Sequence, residues 1–101
     1  MTLDELCFAT KRSPADLERW AQLGALGDRW KEPRNSGKWR HITKDVAGRA
    51  IIMERLVQLG ISEERAAPVA AHYEKKRAEG TIVSTVRGVR LEINLEELNL
   101  P

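Results

Sequence analysis

Five cationic residues, Arg29, Lys31, Arg34, Lys38 and Arg40, fall within residues 28–40 against only Asp28 and Glu32. They are interleaved with Trp30, Trp39 and the turn-forming Pro33, Asn35, Ser36 and Gly37. Side chains of this type at this density make a local positive patch, and the chemistry such a patch performs is neutralisation of phosphates. Upstream, Arg19 and Gln22 are residues that reach base edges in a major groove, as donors or as bidentate partners of guanine and adenine. Catalysis finds no footing. The chain has no nucleophile elbow, phosphate-binding glycine loop, HExxH or paired-carboxylate motif, so it is expected not to be an enzyme. His41 and His72 have no Cys, Asp or Glu at ligand spacing, so neither a metal nor a cofactor is implied. The lone Cys7, among Leu3, Leu6 and Phe8, reads as a small core hydrophobe.

The elements that must position these residues follow from capping signals and apolar spacing. Thr2 and Glu5 have capping-box spacing, and Leu3, Leu6 and Cys7 share a helical face, which predicts a first helix over residues 3–10. Lys11 and Arg12 form a turn. Ser13 as N-cap, Pro14 at the first helical position and Asp16 as the returning carboxylate start a second helix that Gly24 ends. Its apolar face is Leu17, Trp20, Ala21 and Leu23, with Ala15, Asp16, Glu18, Arg19 and Gln22 outside. Two short helices across a tight turn cannot bury both faces alone, so a third must cover them. Residues 28–40 lack helical periodicity and predict two short strands joined by an exposed turn, a wing, with Trp30 and Trp39 packing it onto the third helix. Thr43 caps that third helix, in which Val46, Ala50, Ile52, Met53, Leu56, Val57 and Leu59 recur at spacings of three and four until Gly60.

Beyond Gly60, Ser62, Glu63 and Glu64 open a further helix expected to run to about Glu79, kinked or restarted by Pro68. Lys75, Lys76 and Arg77 lie near its negative end. From Thr81 the period changes to two. Residues 81–86 and the alternating Val89, Leu91, Ile93 and Leu95, separated by Arg87 and Gly88, predict a β-hairpin. An isolated hairpin is marginal in water, so its apolar face must pack on the helical body or on a second copy. Val89, Leu91, Ile93 and Leu95 are therefore the candidate oligomerisation residues.

With 101 residues the chain is expected to form one domain: a helix-turn-helix with a wing over residues 1–61, an additional helix over 62–79 and the hairpin over 81–95. The fold class is mainly α with a small β component. A charged fraction of 32% beside 42% hydrophobic residues excludes disorder as the default. The net charge of +2 barely favours nucleic acid, so the distribution of charge carries that argument. No apolar run is long enough to span a bilayer and the amino terminus carries acids rather than a basic leader, so a cytoplasmic protein without a membrane partner is expected.

Three segments, SPADLERWAQLGAL, GKWRHITKDV and MERLVQLGIS, occur in an order and spacing that resemble the amino-terminal winged helix-turn-helix of the MerR family over residues 3–61. The resemblance implies a recognition helix over residues 14–23 in the major groove and a wing gripping the phosphate backbone. It matches Arg40 and Trp39 to the wing's arginine and aromatic, and Ser13 to the helix-opening residue near DNA. The full candidate set for duplex DNA is Lys11, Arg12, Ser13, Ala15, Arg19, Gln22, Arg34, Lys38, Trp39 and Arg40. Asp16 and Glu18 depart from the family, whose second helix is more basic and aromatic. The family's long dimer-forming helix and effector domain have no counterpart, so drug, metal or redox sensing is not implied. The chain looks closer to small stand-alone members from phages and mobile elements, including excisionase-like proteins. The expected function is that of a small transcriptional regulator acting as a homodimer or higher homo-oligomer. The alternatives are a recombination directionality factor that bends DNA beside an integrase, and a protein-binding module such as a packaging adaptor or inhibitor, for which Asp16 and Glu18 speak.

Overall fold

Helix α1, Leu3–Thr10, begins in a capping box: the Thr2 hydroxyl accepts from the Glu5 N–H at 3.2 Å and the Glu5 carboxylate accepts from the Thr2 N–H at 3.0 Å. It closes on Lys11, which adopts a left-handed φ of 57° and so turns the chain sharply into the next helix. Helix α2, Pro14–Gln22, repeats the device with Ser13 and Asp16 and adds Pro14 at its first turn. The computed structural model describes residues 1–31, 41–86 and 88–98. Arg34, Lys38, Trp39 and Arg40, with the expected strands of the wing, lie outside the described residues, as does Arg87.

The expected apolar face of α2 holds at Leu17 and Trp20, both fully buried, but Leu23 is exposed. Leu23 sits at the end of the helix and the chain reverses at Gly24, where φ is +83°, so Ala25 and Leu26 enter the core in its place. The following residues correct the strand expectation in part, because Asp28–Lys31 is a 3-10 turn that buries Trp30. The chain re-enters the described structure beside its own amino terminus. Thr2 and His41 form an antiparallel bridge, and the Ile42 N–H donates to the Met1 carbonyl at 2.7 Å.

Helix α3, Lys44–Gln58, is capped by the Thr43 hydroxyl, which accepts from the Val46 N–H at 3.3 Å. Residues 45–50 are buried all round, Asp45 and Arg49 included, which makes α3 the central pillar against which α1 and α4 pack. Leu59, expected in its apolar stripe, is exposed because it caps the helix just before Gly60 turns the chain away at a φ of +91°. Gly48 lies against the Tyr73 ring so closely that an added Cβ would collide with it.

The helix expected over 62–79 is three pieces: α4, Glu63–Ala71, then α5, Tyr73–Lys76, then a 3-10 turn, Arg77–Glu79. Helix α4 runs through Pro68 and the restart comes after His72. Pro68 is the sixth of the nine residues of α4, inside the helix, where its missing N–H deprives one carbonyl of its partner. At the break the Arg49 Nη1 donates to the Ala71 carbonyl at 3.2 Å, and the His72 Nδ1 lies 2.6 Å from the Pro68 carbonyl one turn back.

Strands β1, Thr81–Val86, and β2, Val89–Asn94, form an antiparallel hairpin in which Ile82 faces Ile93, Ser84 faces Leu91 and Val86 faces Val89. Its apolar face is buried where it meets the body and opens toward the turn. Ile82 and Leu95 are buried and Ile93 packs against the core, whereas Val89 is 61% exposed. Leu95 is thereby corrected: it belongs to the chain's own core and is not available to a second copy. The described fold is thus mainly helical with one small two-stranded antiparallel sheet. Among the described residues no helix is long and apolar enough to cross a membrane.

Candidate nucleic-acid interface

The basic segment begins and ends at fixed points. At its start, the buried Trp30 donates through Nε1 to the Glu18 carboxylate of α2 at 2.9 Å. At its end, His41 and Ile42 are held on Thr2 and Met1. The described residues that flank 32–40 therefore lie beside α2 on one side and beside the amino terminus of α1 on the other. The sequence places Trp30 between the wing and the third helix; its ring joins the core cluster that α3 also lines, and its indole N–H bonds to the second helix.

The exposed face of α2 and the turn before it hold Lys11, Ser13, Ala15 and Gln22 on the surface, as the sequence required. The two arginines expected there are engaged within the chain. Arg12 Nε donates to Glu54 of α3 at 2.6 Å, and its guanidinium lies 5.3 Å from the centre of the Trp20 ring. Arg12 is half-buried and bolts α2 to α3. Arg19 is clamped more completely. Nε and Nη2 donate to the two Glu63 oxygens at 2.9 and 2.8 Å, and Nη1 donates to Asp16 at 3.0 Å. Glu63 also accepts from the indole N–H of the fully buried Trp20. Base reading by Arg19 requires release from this fork, which is the strongest geometry an arginine and a carboxylate can form.

Glu63 is the residue that sequence reasoning missed. It stands 44 positions from Arg19 and 43 from Trp20, and its only local signal is membership of the acidic first turn of α4. The acids of α2 acquire structural roles as well. Asp16 closes the capping box and pairs with Arg19, and Glu18 holds Trp30.

No family model, curated protein or solved structure matches this chain.

The charges in this region are held in their ionised forms by these contacts. The Arg19 hydrogen bonds draw the Glu63 carboxyl below its ordinary value of 4.5, with the Trp20 N–H assisting and burial opposing. The Ser13 N–H, followed by Arg19, holds Asp16 below its ordinary value of 3.8. Both groups have lower pKa values folded than unfolded, so their contribution is complete above the unfolded values and is lost as pH falls through the lowered ones. Stability measured by denaturant titration at successive pH values is expected to decline below about pH 4.5. Glu63→Gln should be less stable at neutral pH and show a shallower acid decline; an acid limb as steep as the parent's would show that this cluster is not its source.

Among the described residues no three His, Cys, Asp or Glu side chains come together as a metal site. Burial, with Asp4 contributing, pushes the half-buried Cys7 thiol up from its ordinary value, the opposite of what an activated nucleophile needs. A cleft of about 300 Å³ lies between the end of α1 and the second half of α3, lined by Thr10, Lys11, Ile51, Glu54, Arg55 and Leu98 among others. It lies on the side of the Arg12–Glu54 bolt, and its mixed charges nominate no particular ligand.

Proposed function

We propose that the protein binds duplex DNA through a winged helix-turn-helix of the MerR-like type and acts as a small transcriptional regulator. The observation that carries this reading is the anchoring of the basic segment. The described residues on either side of Arg34, Lys38 and Arg40 are fixed, Trp30 by Glu18 of α2 and His41 by its bridge to Thr2. A cationic segment whose two ends are fixed near an exposed helix face can supply phosphate contacts while that face lies in the major groove. In this reading Lys11 and the loop cations supply backbone affinity. Ser13, Ala15 and Gln22 face the groove, and Arg12 and Arg19 hold the helix in place rather than carrying the contact. The internal roles of Asp16 and Glu18 account for these two acids without calling on a protein partner.

The test is selection from a genomic fragment library over a salt series. The expected result is enrichment of discrete sites, with affinity falling steeply as salt rises. Failure to retain any duplex at low salt would overturn the reading.

A further inference from the structure

We propose that two copies of the protein associate through the outer edge of β2, antiparallel, with Leu91 on the two-fold axis, forming a continuous four-stranded sheet. This holds independently of what the protein binds.

The argument begins with the direction of the peptide groups. In an antiparallel pair, alternate residues turn their N–H and C=O toward the partner strand and the others turn theirs outward. The Leu95 N–H donates to the Gly80 carbonyl at 2.9 Å, one step beyond the Thr81–Asn94 pair. This sets the phase: Val89, Leu91 and Ile93 point toward β1, while Arg90, Glu92 and Asn94 point to the open edge. Among the described residues no backbone group bonds to these three from outside, whereas α5 and the following 3-10 turn pack against β1. An edge of this kind is a template for another strand.

The residues along the edge then choose the occupant and the register. The strand reads Val89-Arg90-Leu91-Glu92-Ile93, which is symmetric in its apolar positions and antisymmetric in charge about Leu91. Outward-pointing residues must pair with one another, so a two-fold pairing is centred on a residue from 90 to 94, and centring on 93 or 94 sets no cation of β2 against an acid of β2. Centring on 90 sets arginine against arginine, and centring on 92 sets glutamate against glutamate. Centring on Leu91 sets Arg90 against Glu92 of the second copy at both ends of the contact. It also sets Val89 against Ile93 and Leu91 against itself in the closely spaced, non-hydrogen-bonded pairs. Arg90 and Glu92 are exposed and lie on one face of the strand, where they are already within 3.7 Å of each other. The other face carries Val89 and Leu91, whose exposure at the outer end of the hairpin is reduced by this pairing. A second copy is therefore the partner whose charge pattern this edge matches, and an isolated hairpin gains the two further strands it lacks.

Sedimentation over a concentration series tests the assembly. The parent chain should show a reversible monomer–dimer equilibrium. Arg90→Glu and Glu92→Arg, each alone, should raise the dissociation constant at least about tenfold, because both place like charges opposite each other at both ends. Mixing these two variants should restore dimers, since position 90 of each then faces the opposite charge at position 92 of the other. A parent chain that stays monomeric throughout, or single variants that dimerise as well as the parent, would overturn the proposal. Register is tested separately in a Cys7→Ser background, with the parent chain's fold checked by circular dichroism. Leu91→Cys should form an interchain disulfide rapidly on mild oxidation, because residues facing each other across a non-hydrogen-bonded pair lie about 4.5 Å apart at Cα. Equal or faster crosslinking of Arg90→Cys would place the axis elsewhere and sink the assigned register.

Discussion

Asp45→Ala is expected to cost the protein about 3–5 kcal/mol, the range found when one member of a buried ion pair is removed. Asp45 and Arg49 are each 8% exposed, one turn apart on the central helix, with Arg49 Nε donating to the Asp45 carboxylate at 3.1 Å. The guanidinium is walled in on its other sides. Its Nη1 reaches the Ala71 carbonyl at the end of α4, and Gly27, at a φ of +73°, passes so close that an added Cβ would stand 2.9 Å from Nη1. Alanine at 45 takes one carboxylate partner away from this buried cation and leaves its place apolar. In a domain whose whole stability is about 5–15 kcal/mol, the melting midpoint should fall by more than about 12 °C. The companion variant Asp45→Leu with Arg49→Met separates the cost of removing one member from the worth of the pair. Apolar side chains of similar volume should recover most of the loss. A loss below about 1 kcal/mol for Asp45→Ala would mean that the pair is hydrated in solution and behaves as a surface ion pair.

The parts of this fold legible in the sequence are those fixed by interactions three or four residues apart, or by strict alternation. The Thr2–Glu5 and Ser13–Asp16 boxes, the Thr43 cap and the pairing of Ile82 with Ile93 all follow from local spacing. What the spacing could not carry was long-range. Arg12 and Arg19 look like exposed cations at the mouth of a recognition helix, and only the folded chain brings Glu54 and Glu63 to them across more than forty positions. Pro68 is the obvious breaker between Glu63 and Glu79, yet the chain breaks at His72, where Arg49 takes the last carbonyl of α4 and Tyr73 seats against Gly48. Leu95 continues the apolar alternation of β2 without a change of type. Whether such a residue faces its own core or a second molecule depends on where the strand meets the body, and periodicity holds no information on that.

The cations engaged within the fold and those of the basic segment differ in their expected effect on the proposed DNA binding. Replacing Arg34, Lys38 and Arg40 together by alanine should weaken duplex binding about a hundredfold at low salt. The slope of log affinity against log salt should fall in magnitude by about 2.7, because each neutralised phosphate accounts for roughly 0.9. The effect should be similar on specific and random sequence, because contacts to phosphate position the protein without reading bases. Arg19→Ala is the necessary contrast. Its guanidinium is committed to Glu63 and Asp16, so this substitution should reduce stability by releasing the clamp on α4 while leaving the salt slope unchanged. Gln22→Ala, on the exposed face of α2, should do the reverse, relaxing discrimination between sites without a change in slope or stability. An unchanged slope in the triple variant would remove the basic segment from the interface. A slope that falls with Arg19→Ala instead would mean that α2 releases its arginine from Glu63 on binding, so that the fork stabilising the free protein is exchanged for phosphate in the complex.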